Sequence, residues 1–401
     1  MSLSKKDYRL QPSEKWWSSN YDLLLERGYR LRDRYNPRVL NSWLLHSEFD
    51  DDEARRRGLL DKPDDVFAAS KGMDAEQVSD GAEVWIKRCR LQSPDDAANS
   101  LTEVAINKLI VDDDDPHNHF LPFADVFVVR DQTSWEFTHL NRRYACIVFP
   151  WALRVDQHAW HIALEALDFV RQLLEGLSFL HRHRIAHGDI HPDNILMAPQ
   201  PIFYAGVNRL RNVMVKAVIQ DSAAPYIDRI EVPAEYWYID LGLSSHFEGD
   251  AHDVVWRAGL LKLPEVFGTT NPSDDQLRNP PQIAYDAFAA DVWQLGTTLR
   301  MFFGYSIPSL NPLLREMTDW NPSNRPTAHQ CLTIFHERTG RLPRWQLLLP
   351  VRDASFWTKI PNLGWSLRLR FAIIHYREWF RLCVKAYRLG LSLPQPDRPD
   401  N

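Results

Sequence analysis

His187-Gly188-Asp189-Ile190-His191-Pro192-Asp193-Asn194 lies in the middle of a 401-residue chain and runs on into Ile195-Leu196. It sets a carboxylate, Asp189, five residues ahead of a carboxamide, Asn194. An Asp and an Asn at that spacing mean nothing alone, because both residues readily cap loop backbone groups. The setting carries the weight: His-Gly before the Asp, a proline inside the loop, and an apolar pair that continues as a short buried strand. On the full pattern, simple capping is the poorer reading.

Transfer of a phosphoryl group asks little covalent chemistry of a protein. It needs a carboxylate to orient the attacking hydroxyl and take its proton, and oxygen ligands for the metal that neutralises the phosphates. Asp189 and Asn194 supply the first and part of the second. The stretch resembles the catalytic loop of protein kinases, HRD with an Asn five residues after its Asp, and is similar also to the HGDLHPGN-type loop of aminoglycoside and choline kinase-like enzymes.

Motifs further along decide between the two. Asp240-Leu241-Gly242 follows the apolar strand Tyr236-Trp237-Tyr238-Ile239 and resembles the DFG motif, which makes Asp240 and Asn194 the implied Mg2+ ligands. Leu263-Pro264-Glu265 resembles APE. Asp291-Val292-Trp293-Gln294-Leu295-Gly296 resembles the DxWxxG of a central buried helix, whose Asp holds the catalytic-loop backbone. Trp320-Asn321-Pro322-Ser323-Asn324-Arg325-Pro326-Thr327-Ala328 resembles the late DP-x-x-RPTA segment, which implies a pair between Arg325 and Glu265. These motifs, in this order, belong to protein kinases rather than small-molecule kinases.

Upstream, Val84-Trp85-Ile86-Lys87 resembles the VAIK strand. Its lysine is a point charge for the nucleotide phosphates, and Glu103, midway along the next expected helix, is its implied partner. Phe149-Pro150-Trp151-Ala152 falls where the resemblance puts the hinge that meets adenine through backbone groups, with Phe149 as gatekeeper. More loosely, residues 28–35, Ser42-Trp43, the Ser79-Asp80-Gly81 turn and the long gap before Asp240 are similar to kinase-like proteins of mushroom-forming fungi.

The resemblance implies an α+β, bilobal protein-kinase-like fold with a small β-rich N-lobe and a large helical C-lobe. The local signals agree. Strands are expected at 84–87, 126–130 and 144–149, a helix opens at Ser93-Pro94-Asp95-Asp96 and runs to about 110, and residues 163–181 repeat apolar positions at threes and fours. The expected division is an aromatic helical extension over 1–62, a kinase-like domain over 63–340 (lobes 63–150 and 151–340, insertion 199–233), and a tail over 341–401.

Three departures bear on function. No GxGxxG precedes Lys87, and Gly72 and Gly81 stand alone, so a nucleotide-poor pseudokinase scaffold is one alternative reading; a small-molecule kinase, supported only by the wording His187-Gly188-Asp189-Ile190-His191, is the other. Gly188 replaces the HRD arginine, the residue that binds a phosphorylated activation segment. Between Asp240 and Glu265 only Ser244 and Ser245 carry hydroxyls, so activity is expected not to depend on phosphorylation there. His191 replaces the lysine of Ser/Thr-type loops, as in small-molecule kinases, while Pro192 suits the Ser/Thr type.

Hydrophobic residues at 44% and charged residues at 25% are ordinary for a globular chain, and the net charge of −6 argues against a dedicated nucleic-acid binder. Cys89, Cys146, Cys331 and Cys383 are scattered, as reduced intracellular thiols are, and the N-terminus shows no signal-peptide pattern. Between 365 and 391, Arg370, Arg377, Arg381, Lys385 and Arg388 share one helical face, opposite Leu369, Ile373, Tyr376, Phe380, Val384 and Tyr387. Such a helix can lie on a membrane or enter a partner groove; docking on the lobe with a solvated basic edge is the favoured reading. The function expected is ATP- and Mg2+-dependent transfer to Ser/Thr hydroxyls of a protein substrate.

Overall fold

The computed structural model describes residues 10, 12–38, 71–91, 100–111, 113–130, 143–155, 159–203, 226–249, 252–256, 259–304, 306–351, 365–391 and 393. Ser42-Trp43, the expected helix start at 93–96, residues 204–225 of the insertion and the C-terminal residues 394–401 lie outside them. The chain forms two compact units, one from 1–107 with 121–151, the other from 108–120 with 152–401.

The first unit is a five-stranded sheet. Helices α1 (Pro12–Ser19) and α2 (Tyr21–Glu26) lead to strand β1 (Tyr29–Leu31). After β2 (Gly72–Gln77) and β3 (Glu83–Leu91) come helix α3 (Ser100–Ile110), β4 (Asp125–Arg130) and β5 (Arg143–Pro150). The order is β1-β2-β3-β5-β4, and every neighbouring pair is antiparallel. Between β3 and β4, β5 reads as an unbroken buried run, Ala145-Cys146-Ile147-Val148-Phe149, as a strand covered on both faces must. Along β3, Val84 and Ile86 turn into the core while Trp85 and Lys87 take the other face, by the period of two.

Residues 12–35 were expected in a helical extension packed on the larger domain, yet they supply an edge strand and much of this core. Trp16, Trp17, Tyr21, Leu24, Tyr29, Leu31 and Tyr35 pack with Met73, Val84, Ile86 and Val148. The buried Arg34 donates to both oxygens of Glu14, at 3.2 and 3.3 Å, and the Tyr35 hydroxyl donates to the same carboxylate at 2.9 Å. Each charge in this interior is therefore paired and hydrogen-bonded. A boundary at residue 62 would leave the sheet without β1, so the unit starts before it.

The second unit is mainly helical. Strand β6 (Leu153–Arg154) precedes α4 (Ala163–Arg182), whose spacing of threes and fours buries almost every residue from Ala163 to Leu180. Next come β7 (Ile185–Ala186), β8 (Ile195–Met197), β9 (Tyr236–Tyr238), β10 (Ser245–His246) and β11 (Asp253–Val255). Short helices α5 (Pro264–Phe267) and α6 (Asp274–Arg278) and strand β12 (Ala284–Asp286) lead into the central helix α7 (Ala287–Phe303). Asp286 caps α7 by accepting from the Phe288 and Ala289 amides at 2.9 and 3.0 Å. Helices α8 (Asn311–Met317), α9 (Ala328–Thr339) and α10 (Arg344–Leu347) follow. Strands β8 and β9 pair antiparallel, and the Ile227 amide donates to the Ile202 carbonyl at 2.9 Å, closing the base of the long connection between them.

Helix α11 (Trp365–Leu389) ends the unit, and its docking inverts the expected one. The surface it turns inward carries His375, Leu382 and Ala386, with the Trp379 indole donating to the Leu348 carbonyl at 2.8 Å. Arg381 grips both oxygens of the buried Asp228 at 2.8 and 2.6 Å, and Lys385 donates to Asp228 and Glu231. Burial pushes the Asp228 carboxyl up, but the Arg381 and Lys385 bonds outweigh it and hold the group at about 2. Part of the basic edge thus docks the helix, while most of the apolar stripe faces out. Among the described residues no helix is long and apolar enough to cross a membrane.

Candidate active site

The loop from His187 to Asn194 is held from beneath by one face of α7. Asp291 accepts from the His187 amide at 2.7 Å and the Gly188 amide at 2.8 Å, and His181 Nε2 lies 3.0 Å from the same carboxylate. Gln294 accepts from the Ile190 amide at 2.9 Å and donates to the Gly188 carbonyl at 3.1 Å. Thr298 donates to the Ile190 carbonyl at 3.1 Å. Positions 291, 294 and 298 fall on one side of a helix, so a single rigid element satisfies five backbone groups of the loop. Sequence reasoning found Asp291 and missed Gln294 and Thr298.

Gly188 is required by the backbone. Its φ is +81°, and a Cβ there would sit 2.7 Å from the Leu243 carbonyl oxygen. An arginine at this position would need a different loop path, so the Gly is more than a lost phosphate-binding side chain.

His187 is wholly buried, and its Nε2 lies 3.1 Å from the Ile239 carbonyl while the Asp189 amide donates to its Nδ1 at 3.3 Å. A carbonyl only accepts, so Nε2 carries the proton and the ring is the neutral tautomer. Burial lowers the His187 pKa, in keeping with that state. His191 accepts from the Asp193 amide at Nδ1, which leaves Nε2–H to face Asp189 Oδ2 at 3.5 Å. The Leu260 amide donates to Asp189 Oδ1 at 2.9 Å. Burial pushes the Asp189 carboxyl up; the His191 and Leu260 contacts outweigh this and hold it below the usual range, so it stays an anion.

Asn194 joins Asp189 in this group. Its Nδ2 donates to the Asp189 carbonyl at 2.9 Å, so its amide oxygen is the atom that could hold a metal. The Ile239 amide donates to the Asn194 carbonyl at 3.1 Å, so Asp240 is the residue next to a direct backbone link with Asn194. Asp240 is exposed and has φ 64°, ψ 68°, a left-handed conformation uncommon outside glycine. One carboxylate and one amide oxygen suit Mg2+, which keeps waters and phosphate oxygens as its other ligands. Among the described residues no cluster of three or more His, Cys, Asp or Glu offers a fuller protein cage.

Behind Leu260 the segment is anchored at its far end. Arg325 is wholly buried and donates to both oxygens of Glu265, at 2.8 and 3.0 Å, and to the Asp319 and Ala289 carbonyls at 2.8 and 3.0 Å. Of the two hydroxyls between Asp240 and Glu265, that of Ser244 is turned to structure. Ser244 is buried and donates to the His187 carbonyl at 2.9 Å, and Ser245 lies in β10, paired with Ala186.

The remaining expected residues lie in the sheet unit. Lys87 Nζ donates to Glu103 Oε1 at 2.6 Å, and Cys89 Sγ lies 3.4 Å from Oε2. Glu103 is buried on α3, where its carbonyl accepts from Asn107 at 2.7 Å. Trp85 shares the Lys87 face of β3, and its indole covers Gly72, where a Cβ would come within 2.4 Å of the ring. Phe149 is buried directly across from Trp85 on β5. The Trp151 amide donates to the Glu83 carbonyl at 3.1 Å, so of its two backbone polar groups only the carbonyl is left for an adenine. Ala152 falls in the second unit, as do Asp189, Asn194 and Asp240. Where the resemblance calls for a glycine-rich hairpin between the first two strands, residues 32–71 contain one glycine, Gly58.

No family model matches the chain. It is similar to the serine/threonine-protein kinase grp of Drosophila melanogaster, 26% identical over 294 residues, covering 72% of this chain and 41% of grp. The serine/threonine-protein kinase MAK of Homo sapiens is 28% identical over 200 residues, 44% of this chain and 30% of MAK. Cyclin-dependent kinase F-3 of Oryza sativa subsp. japonica is 26% identical over 190 residues, 42% of this chain and 41% of that protein. The chain thus spans less than half the length of each. Its homologues are serine/threonine protein kinases, and its mixed α+β architecture is that of the protein-kinase fold.

Proposed function

We propose that the chain transfers the γ-phosphoryl group of ATP to Ser/Thr hydroxyls of a protein substrate. The observation that carries this is the placement of Asp189, whose carboxylate accepts from the Leu260 amide and faces His191 on a loop strapped to α7. In this reading Asp189 orients the substrate hydroxyl and takes its proton as the oxygen bonds to the γ-phosphorus and the bond to the ADP oxygen breaks. Asn194 and Asp240 hold Mg2+, which when bound neutralises the phosphate oxygens. Lys87, fixed by Glu103, pairs with the phosphates, and the segment Phe149-Pro150-Trp151-Ala152 meets the adenine. The four cysteines remain thiols, which fits an intracellular setting. The narrower likeness to kinase-like proteins of mushroom-forming fungi belongs to the same proposal; its support is the stretch containing β1 and the turn at 79–81.

One observation favours the scaffold reading instead. The Trp85 indole fills the sheet face beside Lys87, and no glycine-rich hairpin stands before it. Thermal shift with Mg2+-ATP separates the two. A stabilised wild type and an unshifted Asp240→Ala support nucleotide binding; no wild-type shift supports the scaffold. Phosphate transfer to a generic protein substrate, lost in Asp189→Asn, then establishes the enzyme.

A further inference from the structure

Helix α11 is attached along one side and bare along another. Trp365, Leu369, Ile373, Tyr376, Phe380 and Tyr387 follow one another at steps of four, four, three, four and seven, which keeps them on one stripe of a helix. Each is exposed, from 43% for Tyr376 to 77% for Trp365. At about 1.5 Å per residue the stripe, from Trp365 to Tyr387, runs for roughly 33 Å. Soluble proteins rarely leave a contiguous apolar surface of that length open to water.

The charges beside the stripe are of one sign. Arg370, Arg377 and Arg388, at steps of seven and eleven, run along one flank and are exposed. The other flank is the docked side, with His375, Leu382 and Ala386 buried. The helix sequence holds six basic residues and one acid, in a chain of net charge −6. The acid, Glu378, is occupied by Arg377 and Arg381. A second copy of the chain would set arginine against arginine. A protein that encircles a helix is barred because one side is held by Arg381, Lys385 and Trp379. A flat anionic surface meets neither obstacle. It accepts one exposed stripe, its negative charge matches the arginine flank, and Trp, Tyr and Phe side chains suit the layer between headgroups and acyl chains.

We propose that α11 is a lipid-docking helix that lays its outward stripe into the headgroup region of an anionic bilayer while its inner side stays clamped to Asp228. The clamp makes docking a property of the whole folded unit. The bilayer therefore holds that unit without any membrane-spanning segment.

The test is co-sedimentation of the full chain with phosphatidylcholine vesicles and with mixed phosphatidylcholine–phosphatidylserine vesicles. The wild type sediments with the mixed vesicles, and much less with phosphatidylcholine alone or in high salt. Arg370→Gln with Arg377→Gln lowers partitioning by about fivefold for each arginine neutralised. Ile373→Asp with Phe380→Asp lowers it by at least about tenfold. All four side chains point outward, so unchanged melting temperatures are expected; if the aspartate variant fails to fold, the glutamine variant and the vesicle selectivity still decide. No wild-type binding to the mixed vesicles at low salt overturns the proposal, and so does equal binding to both vesicle types. A wild-type dimer in sedimentation velocity that the aspartate variant abolishes also overturns it, by showing that a second copy covers the stripe. So does binding to an acidic helix-binding protein such as calmodulin without binding to vesicles.

Discussion

Arg325 holds Glu265 through two parallel bonds, 2.8 and 3.0 Å long, with the guanidinium shut off from water. The pair joins the end of the segment that carries Leu260 to the turn before α9. Arg325→Leu strips Glu265 of its partner and removes two further donors, those to Asp319 and Ala289. Removing one partner of a buried pair costs about 3–5 kcal/mol, so a large fall in melting temperature is expected by calorimetry. Glu265→Leu with Arg325→Leu should recover part of that loss, because no unpaired buried charge remains.

Lys87 and Glu103 form the corresponding pair in the sheet unit, but Lys87 retains some exposure. Lys87→Met leaves the buried Glu103 carboxylate without its cation, so a fall in melting temperature is expected together with loss of the thermal shift with Mg2+-ATP. Glu103→Gln keeps the shape and one hydrogen bond but no longer fixes the ammonium by charge. A fall in kcat/KM of about tenfold to a hundredfold, smaller than for Lys87→Met, is the expected outcome in a radiolabelled phosphate-transfer assay.

Much of this was legible because the chemistry is written in side chains at fixed spacings. Asp189 with Asn194, Lys87 with Glu103 and Arg325 with Glu265 were each readable only as parts of one ordered set of motifs, since every pair alone has a bland explanation. Gln294 and Thr298 were not legible, since a Gln and a Thr on a buried helix look like any satisfied polar residue until their partners are known. Leu260 contributes through its amide, which every residue but proline owns. Strand β1 was missed because its pairing partner lies some forty residues away, beyond any local periodicity. The facing of α11 was misread for another reason: amphipathicity shows that a helix has two sides, while Asp228, far away in sequence, decides which one docks.

Gln294 offers a test of whether the loop is positioned through α7. Gln294→Leu leaves the Ile190 amide and the Gly188 carbonyl unpaired in a buried setting, at a cost of about 1–3 kcal/mol each. The residue touches no substrate, so kcat should fall while KM for ATP stays near the wild-type value. Gln294→Glu keeps the acceptor for Ile190 but sets a buried carboxylate oxygen against the Gly188 carbonyl, so it should recover little of kcat.

The pH dependence of stability follows from His187. Its folded-state pKa lies below its ordinary value of 6.5 because burial penalises the charged ring. The unfolded chain therefore binds the extra proton first, and stability falls as pH drops below about 6.5. His336, lowered for the same reason, adds to the effect. The depressed carboxylates Asp189 and Asp228 act in another window, losing their contribution only below the unfolded carboxylate range near 4. Melting temperatures between pH 7 and 5 should thus decline in the wild type and decline less in His187→Asn, and a parallel decline in both would assign the slope to other groups.

Ser244 decides whether phosphorylation of the segment could matter. Its hydroxyl donates to the His187 carbonyl, out of reach of a modifying enzyme, and Gly188 supplies no arginine to receive a phosphate. Phosphatase treatment of purified protein should leave phosphate-transfer activity unchanged. Ser244→Ala should cost about 1 kcal/mol, the worth of one buried hydrogen bond. Ser244→Asp, which buries a charge against a carbonyl oxygen, should lower the melting temperature further and reduce activity instead of mimicking an activated state. Activity lost on dephosphorylation and regained in Ser244→Asp or Ser245→Asp would mean that the segment opens to expose these hydroxyls, and that Asp189 is regulated through them.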